Sequence, residues 1–250
     1  MSGKFLILSE PRSGSNMLCS LLNSHPEIVC HHELFNIKGV NYALDWRDTE
    51  KAPQITKEER DQHPLVFLDS VWKASPSSFV GFKMTSHPDR TVLYTLLKDT
   101  SVKKIILTRK NRLRMYVSFL TALKNNQWEV YKNGENPKGK TSVHVNKEEF
   151  VAHAEGYTTH LEHCTQQITE NEGDFISIYY EDLKEPETHR MVLDYIGVND
   201  SNHSLETLSI KLNRNRLSDV ISNYDELAEA LHGTPYQHQL KTLDHEVWNF

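Results

Sequence analysis

Lys4-Phe5-Leu6-Ile7-Leu8-Ser9-Glu10-Pro11-Arg12-Ser13-Gly14-Ser15-Asn16-Met17-Leu18 is the stretch on which the reading of the fold turns. Its run of four apolar residues, with no polar alternation, predicts a short strand buried on both faces. Pro11 and Gly14 end that strand. From Ser15 onward Met17, Leu18, Leu21 and Leu22 recur at the spacing of a buried helix stripe. Pro26 stops the helix at about residue 24, because the residue before a proline avoids the helical region. The opening unit is therefore strand, short turn, helix.

The same alternation continues outward. Strands are predicted at 27–30, running into His31-His32-Glu33, and at 78–83, 103–108 and 174–179. Helices are predicted at 65–72, from Pro88 or Asp89 to 98, from Asn111 through Leu123, at 147–171, and at 186–196 with Gly197 as its cap. Residues 39–64 read as a polar surface excursion, 125–146 as loop, and 202–250 as a mainly helical tail. Strands alternating with helices predict an α/β three-layer sandwich around a mostly parallel central sheet, organised as a single domain over 1–250.

Composition excludes several classes. The 250 residues include 28 basic and 34 acidic side chains, a net charge of −6, with 38% hydrophobic and 25% charged residues, which is a globular profile. A chain of this length can bury roughly three quarters of its surface, so no disulfide or metal is needed for stability. A mean hydropathy of −0.58 and no long apolar run argue against a membrane span. Phe5-Leu6-Ile7-Leu8 is too short for a signal-peptide core. Cys19, Cys30 and Cys164 form no CxxC pair, which suits a reducing cytoplasm. The acidic total argues against nucleic acid or anionic membrane as a partner.

Two strand–loop–helix junctions carry anion chemistry. In the first, residues 9–16, a glycine- and serine-rich turn presents backbone N–H groups at a helix start, with Arg12 beside them. An ordinary turn with an exposed arginine has the same shape. The pattern GxxxxGK[ST] is absent, since no lysine precedes Ser15, and no strand clearly ends in the acid of a Mg²⁺ site. The second junction, 103–114, packs six cations into twelve residues, four of them at a strand end and the following helix turn. Cations there oppose the helix dipole, and a bound anion reverses that sign. Arg109 is the stronger ligand candidate; Arg112 and Arg114 also read as a solvated basic start. Two such junctions on one sheet suggest a nucleotide anionic at both ends.

These residues resemble the sulfotransferases that use 3′-phosphoadenosine 5′-phosphosulfate (PAPS), in particular the bacterial trehalose-sulfotransferase-like, carbohydrate type. Pro11-Arg12-Ser13-Gly14-Ser15 is similar to that family's 5′-phosphosulfate loop, and Arg109 with Ser118 nine residues on is similar to its 3′-phosphate signature. His32-Glu33-Leu34-Phe35 matches the subgroup's Glu-x-Phe, and Tyr180-Glu181-Asp182-Leu183 resembles its YEDL segment near the adenine. Trp128 and the stretches 223–226 and 231–234 add to the likeness. Asn16 replaces a common threonine or serine, Asn111 replaces the usual aspartate, and a closing RKGxxG segment is missing.

The resemblance implies a P-loop-like sulfotransferase fold. It also implies in-line sulfuryl transfer from PAPS to a hydroxyl of a small acceptor, a sugar or glycoconjugate, without a metal. Glu33 is then the base, with His31 and His32 as rivals. Pro11, Arg12, Ser13, Gly14, Ser15 and Asn16 hold the 5′-phosphosulfate, Arg12 also stabilising the leaving group; Arg109 and Ser118 hold the 3′-phosphate, and Tyr180 lies by the adenine. Lys83 either faces the site or is an exposed strand-end lysine. Trp46, Trp128 and Tyr131 either stack on a sugar or fill hydrophobic gaps. His160, His163 and Cys164 share a helical face and read as a solvated surface, not a metal set. A homodimer stays open. The competing readings are a P-loop-type metabolite kinase and a non-catalytic nucleotide- or glycan-binding module of the same fold.

Overall fold

The computed structural model describes residues 3–47, 49–85, 89–132, 136–200, 203–210 and 215–240. Five strands, β1 (Gly3–Ser9), β2 (Ile28–His31), β3 (Phe79–Met84), β4 (Val102–Thr108) and β5 (Phe175–Tyr179), form one sheet in the order β2-β3-β1-β4-β5. Every pairing is parallel. The apolar run at residues 5–8 is the central strand, which explains its lack of alternation: both faces are covered.

Connection handedness assigns the layers. The step from β1 to β2 moves two places one way, while the later steps all move the other way. Right-handed crossovers must then put the first helix on one face and the following ones on the opposite face. Helix α1 (Ser15–Leu22) accordingly packs with Phe5 and Ile7, joined there by residues Val192, Leu193 and Ile196 of the helix that follows β5. On the other face Leu6, Leu8, Phe82 and Ile106 meet Phe67 and Val71 of α3 (Pro64–Ala74, which follows the short α2, Lys57–Gln62) and Leu93 and Leu96 of α4 (Arg90–Lys98). Helix Lys147–Glu170 spans two clusters, with Phe150 and Ala154 in a satellite core and Leu161, Cys164 and Ile168 under the sheet. All five strands end at one edge, so the 10–14 loop, His32-Glu33, Thr85, Arg109 and Tyr180 converge there.

Three expectations change. Residues 39–64 are not simply surface: Tyr42, Ala43, Trp46, Ala52 and Arg60 are buried, and 57–62 form a short helix. Arg60 misleads as a polar residue because its guanidinium satisfies the carbonyls of Leu34, Asn36 and Gly39 at 2.7, 3.0 and 3.1 Å. Among its described residues the tail is less helical than expected. Residues 203–210 run without helix, Ser209 bridges Tyr131, and Ser24 just past α1 and Ser20 within it accept the N–H groups of Glu206 and Leu208. Short helices follow at Leu217–Val220 and Tyr224–Leu231. Cys164 lies in the core with His160 Nε2 3.8 Å from its sulfur, not on a solvated face. The expected start at Pro88 and the last ten residues lie outside the described residues; Asp89 caps the helix beginning at Arg90.

β3 lies against β1 closely enough that a Cβ at Gly81 would be driven into the Phe5 ring opposite. Gly81→Val should therefore destabilise the protein by about 1–3 kcal/mol through overpacking, read as a lowered denaturant midpoint at unchanged slope.

Candidate active site

The loop after β1 reverses sharply. Arg12 has φ +68° and Gly14 φ +91°, and a β-carbon at Gly14 would enter the Tyr180 ring. A non-glycine residue held in that region costs of order 1–3 kcal/mol and persists only where its surroundings impose it. Ser13 is buried, with its hydroxyl donating to the Glu10 carbonyl at 2.7 Å and its N–H donating there at 3.2 Å. The first helical bond of α1 is Met17 N–H to the Gly14 carbonyl, so the amides of residues 14–16 precede the ladder. Pro11 leads into this turn, half-buried.

Around the loop a cationic half assembles. Arg12 Nε donates to Ser118 Oγ at 3.0 Å, and its Nη1 donates to the Trp128 carbonyl. Arg109 is buried, donates Nη1 to the Arg12 carbonyl at 3.3 Å, and lies with its Cζ 4.5 Å over the Tyr180 ring. Its Nε finds no partner among the described residues. Burial, and then the charge of Arg109, lower the Arg12 pKa to about 10. Residues 11–16, Arg109, Ser118 and Tyr180 thus come together. One detail differs: Arg12 reaches across to Ser118, so it links the two junctions and does not stay at the first.

The segment after β5 braces this half. Glu181 accepts the N–H of Lys110 at 3.1 Å, and Lys110 Nζ lies 3.1 Å from Asp182. Asn111 caps α5 (Arg112–Asn125) by accepting from Arg114 N–H at 2.8 Å while donating to the Gln239 carbonyl at 2.9 Å. An aspartate could not make that second bond. Arg112 and Arg114 are not a solvated start. Arg112 pairs with the fully buried Glu10, and Arg114 is buried with Nη1 3.0 Å from the Asn215 carbonyl. The physical reason is Glu10, whose carboxylate at the end of β1 needs a cation.

The second half centres on Lys83. It is buried at the end of β3 and uses all three ammonium protons: to Glu33 Oε1 at 3.0 Å, Asn16 Oδ1 at 2.5 Å and Ser15 Oγ at 3.4 Å. Glu33 also accepts from Asn36. Burial pushes the Glu33 carboxyl up, but Lys83 and the hydrogen bonds from Asn36, Lys83 and Thr85 outweigh it and hold it below the ordinary range. His32 Nδ1 faces Asn16 Oδ1 at 3.3 Å. Burial, Lys83 and Arg47 hold its pKa well below the usual value, so it is neutral. His31 points the other way, between Tyr42 and Trp46, with Nδ1 accepting Ala43 N–H at 3.2 Å; burial lowers its pKa to about 3. Trp46 is core, 2% exposed, and cannot stack on an acceptor. Trp128 is 36% exposed, and Tyr131 is half-buried with its hydroxyl on Glu129.

Among the described residues one group has metal-ligand chemistry: His25, Asp200 and His203, with donor atoms within 4.8 Å of one another. His25 precedes β2 while Asp200 and His203 follow the helix Pro186–Ile196, at the end of the sheet away from this cleft. No helix among the described residues is long and apolar enough to cross a membrane.

A family model described as the sulfotransferase domain matches residues 2–231. The chain belongs to that family, which uses PAPS. This sulfotransferase is 24% identical over 237 residues to nodulation protein H of Rhizobium tropici, covering 93% of this chain and 90% of that protein. It is 28% identical over 137 residues to nodulation protein H of Rhizobium meliloti strain 1021, about half of each chain (52% and 51%). Among solved structures it resembles a sulfotransferase from Alicyclobacillus acidocaldarius (TM-score 0.48, 15% identity, 99% and 98% covered). It also resembles retinol dehydratase in a complex with retinol and PAP (TM-score 0.38, 17% identity, 82% and 63% covered). The parallel sheet flanked by helices is the P-loop-like α/β architecture of sulfotransferases.

The residues of the cationic half fit a nucleotide carrying phosphate at both ends. An orphaned buried Arg109 Nε, two guanidiniums that repel one another, and amides at a helix start all favour anions. Gly14→Ala should weaken 3′,5′-ADP binding by about tenfold or more, because the positive φ and the Tyr180 ring both exclude a side chain; isothermal titration calorimetry reads it.

Proposed function

We propose that this sulfotransferase moves a sulfuryl group from PAPS to a hydroxyl of a carbohydrate or related small acceptor, with Glu33 as general base. The observation that carries the reading is the Lys83 ammonium, which joins Glu33 Oε1 at 3.0 Å to Ser15 and Asn16 of the amide-rich turn. A base for the acceptor and an anion cradle are thereby held on one cation.

The donor supplies a sulfuryl group on a 5′-phosphate, which departs as 3′,5′-ADP. Residues 11–16 bind the 5′ end, Ser13 through its backbone since its hydroxyl is turned inward. Arg12 and the helix-start amides face the charge that grows on the leaving group. Arg109 and Ser118 take the 3′-phosphate, and Tyr180, stacked under Arg109, lies by the base. Glu33 accepts the acceptor's proton, and its depressed pKa keeps it ionised at neutral pH. Lys83 orients that carboxylate. Arg12, Lys83 and the amides supply the positive charge, so the scheme uses no metal. The buried free thiols of Cys19, Cys30 and Cys164 fit a reducing compartment such as the cytoplasm.

Calorimetry against 3′,5′-ADP and against ATP with Mg²⁺ tests the donor: metal-free binding of the first is expected, and a preference for Mg-ATP supports the kinase reading instead. Glu33→Gln should lower transfer from PAPS by about 10²–10⁴-fold while 3′,5′-ADP still binds. A fully active variant removes Glu33 as the base. Since Lys83 holds the Glu33 pKa down, activity should persist on the acid side below the ordinary carboxylate range. Lys83→Met leaves burial opposed only by the hydrogen bonds from Asn36 and Thr85, so the acidic limb of kcat/KM should move up by about one to three pH units.

A further inference from the structure

One charged cluster beside Glu33 has no part in the scheme above. Arg47 Nη1 meets Glu129 Oε1 at 2.8 Å, each side chain 31% exposed. Glu129 Oε2 accepts from Tyr131 OH at 3.1 Å and from Asn16 Nδ2 at 3.2 Å, with His32 Nδ1 3.9 Å away. Arg47 Nε is anchored on the Tyr42 carbonyl at 3.2 Å. Three distant segments therefore meet here: the stretch after β2, the first turn of α1, and the chain just past α5.

Asn16 makes the junction. Its Oδ1 takes the Lys83 ammonium at 2.5 Å while its Nδ2 donates to Glu129, so one amide connects Glu129 to the Lys83–Glu33 pair. A serine or threonine hydroxyl has a single proton and a shorter reach, and could not span the two partners in the same way. The departure at position 16 has a physical purpose.

The charges on this side cancel. Glu33 and Glu129 carry two negative charges, Lys83 and Arg47 two positive ones, and each cation is already paired. On the donor side Arg12 and Arg109 make no ion pair among the described residues. An acceptor bearing its own carboxylate or phosphate would meet two carboxylates and two cations already paired with them. An uncharged one brings hydroxyls that donate to Glu129 and accept from Arg47 without burying net charge.

We propose that Arg47, Glu129 and Tyr131, braced by Asn16, form an acceptor subsite that selects an uncharged polyol, a sugar with adjacent free hydroxyls, over carboxylated sugars. The proposal rests on the sulfotransferase reading with Glu33 at the reacting hydroxyl.

The test measures sulfation of trehalose and of N,N′-diacetylchitobiose against the uronic acid derived from each, with PAPS as donor. The wild type should favour the neutral sugar by about tenfold or more in kcat/KM. Glu129→Gln frees Arg47 for an anion, so that ratio should fall by about tenfold, through a raised KM for the neutral sugar. Arg47→Gln should move the ratio the opposite way. Opposite shifts in the two variants are not produced by general loosening of the fold. A wild-type preference for the uronic acid, or a ratio unmoved in both variants, overturns the subsite. If 3′,5′-ADP binds but no sugar is sulfated, the carbohydrate reading falls and the subsite with it. Failure to bind 3′,5′-ADP removes the donor reading instead.

Discussion

The arrangement depends on one buried cation. An ammonium removed from water costs several kcal/mol unless its protons are satisfied, and Lys83 resolves that by hydrogen bonding to Glu33, Asn16 and Ser15 together. Those partners come from the end of β2 and the start of α1, elements that do not otherwise share a strand pairing at this edge. The cation therefore sets where Glu33 stands relative to the turn after β1. It also acts on the protonation of its neighbours, holding Glu33 ionised against burial and adding to the burial that keeps His32 neutral.

A second buried charge pair does the corresponding work beneath the half that holds Arg12 and Arg109. Glu10 is fully buried where β1 ends, and Arg112 meets it from the first turn of α5. The pair fastens the central strand to the helix that carries Ser118, while Glu181 and Asp182 hold the Arg109–Asn111 turn from the β5 side. The two junctions read as separate in sequence are thus one rigid edge. Parallel pairing makes this feasible, because it delivers every strand end to the same side.

Much of this was legible along the chain. The strand at residues 5–8, the turn at 11–14, the cap at Asn111 and the Gly197 helix end follow from local rules of periodicity, φ preference and capping. The family likeness brought Arg109, Ser118, Tyr180 and Glu33 into one list, and they do fall at one edge. Where reading failed, the cause was polarity taken for exposure. Arg60, Arg112, Arg114 and Trp46 sit in segments of high charge, yet each is largely buried because a carbonyl cage, a carboxylate or an aromatic cluster receives it. The tail misled differently: 203–210 takes its hydrogen bonds from Ser20, Ser24 and the 130–132 segment, partners more than seventy residues away.

The sequence by itself determined the alternation of strands and helices, the glycine- and serine-rich turn after β1 and the identity of the charged residues near it, since these rest on interactions between near neighbours. Only the tertiary structure decided which charges pair. Whether Lys83 was a solvent lysine or a buried clamp, whether His31 or His32 faced the cleft, and why Asn16 stands where a hydroxyl is common all turn on contacts spanning tens of residues. Burial and pairing are properties of what the folded chain brings together, and a linear pattern holds no record of them.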